Sequence, residues 1–229
     1  MAIVTTEASL LRLLQLSSVS LPVGGYAFSQ GMEYAIDKGW VARKTDVSDW
    51  VGLQLQQSVA RVDLPILRLC MMAAEQQGSV ARSARLVELN DLALACRETK
   101  ELRLNDTAMG EALFRLMGSL GINTPFERGD VMSFVPLFAI AAAHWKIGFD
   151  VAALGFAWSW LENQIAAATK LVPLGQTQAQ ELLGELQSDI NQAISLSLTI
   201  EEDRIGAGLP MIAIGSAQHE TQYSRLFRS

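Results

Sequence analysis

Histidine and cysteine are scarce in this chain, whose 229 residues include two of each. His144 and His219 lie 75 residues apart, and neither has a second metal-ligating residue one helical turn away. That scarcity argues against a tight soft-ligand metal site. Cys70 and Cys96 stand alone in helical contexts and read as packed, reduced thiols. The phosphate-cradling Gly-x-x-x-x-Gly-Lys-Ser/Thr loop, the Gly-x-Ser-x-Gly elbow and His-Glu-x-x-His are all missing. No catalytic residue and no directly bound cofactor are therefore expected. Charge is sparse too: 18% of residues are charged, the net charge is −6, and no basic stripe tracks a phosphate backbone. Nucleic acid is excluded as a partner on that ground.

A membrane span is not expected either, although half the chain is hydrophobic. The apolar run Val131 to Trp145 has fifteen residues and contains Pro136 and His144, against the ~18–20 that a spanning helix needs. A second run, Ile147 to Leu161, is broken by Asp150. Met1 to Leu16 lacks the basic region and small-residue cleavage site of a signal peptide. The expectation is a cytoplasmic protein that meets no membrane and whose apolar excess is spent on subunit contacts.

What is present is helical periodicity. Leu10, Leu11, Leu13, Leu14 and Leu16 give a first helix an apolar stripe that ends at Pro22-Val23-Gly24-Gly25. Ser29 is placed to cap a second helix stopped by Gly39, and Thr45 or Asp46 a third. Asp63-Leu64-Pro65 reads as a cap and a first-turn proline opening a fourth. Ser79 opens a helix running on towards Arg103, and Asn105 to Met117 forms the next. Two very apolar helices, about Pro136 to Trp145 and Val151 to Ala168, are expected at the centre, with His144 inside the first. One long helix is expected from about Gln176 to Leu198, and a last one from about Leu209 to Ala217. No repeat or linker divides the chain, so the reading is all-α: a single helical-bundle domain of about nine to ten helices. Residues 1–205 form its body, and 206–229 the last helix and a C-terminal tail of the same domain.

Two charged residues stand out beside loops. Glu33 follows Gly25-Tyr26-Ala27-Phe28-Ser29-Gln30-Gly31, and Lys170 ends an alanine-rich helix; each suits its end of a helix dipole. The run Arg97-Glu98-Thr99-Lys100-Glu101-Leu102-Arg103 reads as a solvated helix face. The tail, Ser216 to Ser229, has no sustained apolar face and sets Tyr223, Leu226 and Phe227 among Arg225, Arg228 and His219. Aromatic anchors interleaved with arginine suit a desolvated interface, so the tail reads as a protruding partner-binding segment.

Five stretches in order carry a family resemblance. They are Leu21 to Glu33, Ala95 to Arg103, Trp160-Leu161-Glu162, Thr169 to Gln176, and His219 to Ser229. Together they resemble the urease accessory protein UreF family. The resemblance implies an all-helical homodimer that is not an enzyme. It implies a scaffold in nickel delivery that bridges UreD (UreH in some organisms) and the GTPase UreG. That assembly engages apo-urease, and UreF modulates or gates the GTP-dependent transfer. Nickel is handled by the complex, not by a metal site in this chain. By position, Glu33 and Lys170, with Tyr26 and Gln30 beside them, fall on the face that meets UreG. The tail residues His219, Tyr223, Arg225, Leu226, Phe227 and Arg228 fall on the segment that orders against UreD. The rival expectation is a direct nickel carrier or metal-dependent enzyme using His219, Glu220 and a cysteine.

Overall fold

The computed structural model describes residues 6–76 and 78–228. Their order is α1 (Glu7–Leu16), α2 (Met32–Asp37), α3 (Lys44–Gln54), α4 (Leu64–Ala74), α5 (Ser79–Ala95) and α6 (Lys100–Ser119). There follow α7 (Phe134–His144), α8 (Phe149–Leu171), α9 (Gln176–Glu185), α10 (Gln187–Ser197) and α11 (Pro210–His219). No strand occurs among the described residues, and the fold is all-α.

The bundle is built around α7. Every residue from Phe134 to Ala142 is buried, because α4, α5, α6 and α8 pack around it. Phe138 meets Phe156 of α8 edge-on, ring centroids 5.2 Å apart, and Phe134 lies 6.0 Å from the same ring. Each such buried aromatic contributes about 1.5–3 kcal/mol relative to an exposed one. Two glycines permit the close approaches: a Cβ on Gly110 of α6 would run into the Met132 carbonyl, and one on Gly155 of α8 into Leu13 and Ser17. His144 lies within α7 as its last residue, on the exposed surface.

Several helix boundaries differ from the sequence expectation. Asp63 does not cap a new helix; its φ and ψ are helical. From Lys44 to Ala74 the chain is one continuous helix with a π-helical stretch, Leu55–Asp63, between α3 and α4. The Leu64 amide bonds Val59 five residues back. Pro65 has no N–H for the Arg61 carbonyl, and Gly206 N supplies one at 3.4 Å. The helix from Ser79 stops at Ala95 because Thr99 caps α6, its Oγ1 accepting from Leu102 N at 3.1 Å. The long helix from Gln176 breaks at Leu186, which leaves Leu182, Leu183, Leu186, Ile190 and Ala193 all buried. The N-cap of α3 is Arg43 and that of α2 is Gly31; Asp46 instead accepts from Ala42 N and Arg43 N.

Candidate functional site

Three helix ends converge on one buried cluster. The first turn of α2 supplies Glu33, the first turn of α6 supplies Glu101, and the last turn of α11 supplies His219. His219 Nε2 lies 3.0 Å from Glu33 Oε2, and its Nδ1 lies 2.9 Å from Glu101 Oε2. All three are buried, His219 completely. Ionised carboxylates only accept hydrogen bonds. Two such bonds therefore require protons on both ring nitrogens, or one carboxyl that keeps its own. Burial pushes Glu101 above the usual carboxylate range, while His219 and Arg225 pull it down.

The convergence depends on backbone contact between α2 and α11. Gly31 has φ +83°, and a Cβ there would sit 2.9 Å from Ser216 N. The hydroxyls of Thr99 and Ser216, 2.7 Å apart, tie α11 to the cap of α6.

The residues after α11 do not protrude as expected. They return across the cluster as a strap. Leu226 N and Phe227 N donate to the two oxygens of Glu33 at 2.6 and 2.9 Å, and Arg228 N donates to Ala27 O at 2.9 Å. Arg225 reaches Glu101 at 3.2 Å. Phe227 is buried, and the Lys170 ammonium sits over its ring at 5.3 Å and over Tyr26 at 5.9 Å. Tyr223 and Leu226 point outwards, the latter 64% exposed. Gln30, at φ 51°, accepts from Trp160 Nε1 at 3.2 Å. Lys170, Tyr26 and the strap thus share one surface, with Glu33 buried beneath it. Ser229 lies outside the described residues.

Both ring nitrogens of His219, the residue the rival expectation needs as a metal ligand, are turned to carboxylates. No group of three or more His, Cys, Asp or Glu side chains placed to hold an ion occurs among the described residues. The run Arg97 to Arg103 is not a solvated face, because Glu101 and Arg97 point inwards. Arg97 Nη2 meets Asp63 at 2.8 Å and its Nε meets Asp106 at 3.0 Å. Burial pushes Asp63 upward in spite of Arg97.

This second cluster borders a cavity of about 100 Å3 that Gln30, Asn105, Asn163 and Trp160 also line. Sequence reasoning passed over it because Asp63 before Leu64-Pro65 has the form of a helix cap. The one available signal was a charge of each sign beside otherwise apolar segments. No described helix is long and apolar enough to cross a membrane.

Comparison with known proteins agrees with the residue-level resemblance. The model of the UreF family matches residues 41–187. A urease accessory protein UreF from Marinomonas sp. (strain MWYL1) is 79% identical over 227 residues, covering 99% of this chain and 97% of the relative. Those from Teredinibacter turnerae and Alkalilimnicola ehrlichii are 45% and 42% identical, over 96% and 95% of this chain and 98% and 95% of their own lengths. The chain belongs to the UreF family of urease accessory proteins.

Proposed function

We propose that this protein serves urease maturation as a non-enzymatic scaffold. It acts as a cytoplasmic homodimer that bridges UreD (UreH) and the GTPase UreG and gates GTP-dependent nickel transfer to apo-urease. The observation that carries this reading is the shared surface around Glu33. Exposed Tyr26, Lys170 and Leu226 lie beside a buried polar network there, and they come from three distant parts of the sequence. Exposed aromatic and aliphatic anchors beside cations suit a protein partner. Glu33 is buried, so its support for the UreG face is indirect: it holds the strap that frames that face.

The test is co-expression with UreD and UreG followed by size-exclusion chromatography, with and without Tyr223 to Ser229. Loss of UreD from the complex with an unchanged helical circular dichroism spectrum is expected, whereas retained UreD overturns the tail assignment. Lys170→Ala is expected to weaken urease activation in cells without unfolding the protein; normal activation would reduce Lys170 to a helix-end cation. Equilibrium dialysis of the isolated protein against nickel checks the scaffold reading against a carrier. Micromolar or tighter binding that is lost in His219→Ala would favour the carrier.

A further inference from the structure

The Glu33–His219–Glu101 cluster has a property that a purely structural network does not need. It carries a proton on which its bonding depends. We propose that this cluster is a proton-dependent latch, closing the strap of residues 220–228 over Glu33 and Lys170 while the proton is held and freeing it when rising pH removes the proton.

The groups that face His219 come from each element packed on it. Glu33 is on α2, Glu101 on α6 and Arg225 on the strap; Glu220 adjoins it in the chain. Lys170, at the end of α8, holds Phe227 from the other side. With an imidazolium at His219, the two bonded carboxylates are balanced by that ring and by Arg225. Without the proton, one negative charge is left uncompensated in a buried place, which is strongly unfavourable.

The geometry says which bond fails. Nδ1 faces both oxygens of Glu101, at 2.9 and 3.2 Å, so the remaining N–H stays on that side. The Nε2 lone pair is then turned on Glu33 Oε2 at 3.0 Å, a repulsive contact. Glu33 must swing away, and it is the acceptor for Leu226 N and Phe227 N. Besides these two bonds the strap is retained by Arg228 N on Ala27 O, by Arg225 on Glu101 and by the buried Phe227 ring, while ordering it costs backbone entropy at every residue.

If the proton resides on a carboxyl instead of the ring, its loss has the same effect and the same sign. The raised position of Glu101 acts in this direction as well. A group whose folded-state value lies above its unfolded one stabilises the closed form at low pH and loses that contribution as pH rises.

The latch is a property of the isolated chain and does not depend on the partner assignment above. It is tested by nitrogen-15 NMR on the full-length protein from about pH 6 to about pH 10. Only two histidines need assigning, and exposed His144 serves as the reference ring. Both ring nitrogens of His219 are expected to be protonated, or to share a carboxyl proton, at the lower end. On titration the Leu226 and Phe227 amides should lose their bonded shifts and become mobile while the helical spectrum is unchanged. The ratio of open to closed strap should rise about tenfold per pH unit through the step, the slope of one proton. His219→Gln should abolish that response. Glu101→Gln, which removes one of the two carboxylates holding the proton, should move the midpoint to lower pH. A strap that stays rigid across the range overturns the proposal, as does one whose release coincides with loss of helix. Should His219→Gln not fold, an unmoved midpoint in Glu101→Gln overturns it equally.

Discussion

Arg97 illustrates how much one side chain can hold when it is the sole cation in a buried place. It lies between Asp63 and Asp106, and Asp106 also accepts the Phe134 amide at 3.0 Å, which fixes the start of α7. Replacing it by methionine preserves much of the volume and leaves two carboxylates without a counter-charge. Arg97→Met is therefore expected to cost about 3–5 kcal/mol, measured by denaturant unfolding. The pH dependence has a definite sign. Burial already pushes Asp63 upward; without Arg97, protonating the carboxylates relieves the folded state further. The variant should come nearest to the wild type at about pH 4 and fall away as pH rises towards about 7. A constant deficit across that range would mean that packing, not charge, is what Arg97 contributes.

At the level of the helix, α6 offers a paired test. Gly110 faces the Met132 carbonyl, a backbone atom with no room to yield, whereas Gly118 on the same helix has nothing within 4 Å. Gly110→Ala should destabilise by about 1–3 kcal/mol through overpacking. Gly118→Ala should stabilise by about 0.4–1 kcal/mol by restricting the unfolded chain. Thermal melts of both variants check the pair, and equal shifts would show that helix propensity, not contact, decides.

Helix existence was legible in this chain because apolar periodicity is a local signal that survives folding. Breaks were less legible. The helix from Ser79 ends ahead of the Thr99 cap, and between the two Arg97 is drawn to Asp63, 34 residues away; nothing in the local spacing records that contact. The site was half legible: the resemblance singled out Glu33, His219 and the tail, but as facing other proteins. That Glu33 accepts two amides 193 and 194 residues further along is a tertiary fact without a sequence signature. The apolar poverty of the tail misled for the same reason, since its hold on the body is mainly polar.

Across the whole molecule, stability is distributed unevenly. α7 is covered on every side, whereas the strap rests on a few hydrogen bonds and one buried ring. Amide exchange should therefore separate the two. The α7 amides are expected to open only with global unfolding, and those of Leu226 and Phe227 by a local event of much lower free energy. Native-state exchange at increasing denaturant checks this; a single common opening energy would show that strap and body unfold as one unit. The unbroken helix from Lys44 to Ala74 carries a different lesson, about length. Its nine-residue π stretch holds more chain per turn than an α-helix does. The stretch thereby sets the rotational frame in which Asp63 meets Arg97 and Arg61 meets Gly206. Excising a single residue from it would turn everything beyond by about 100°. Substitutions are tolerable there in ways that a one-residue deletion is not, and natural variants should keep this spacing even where they change its letters.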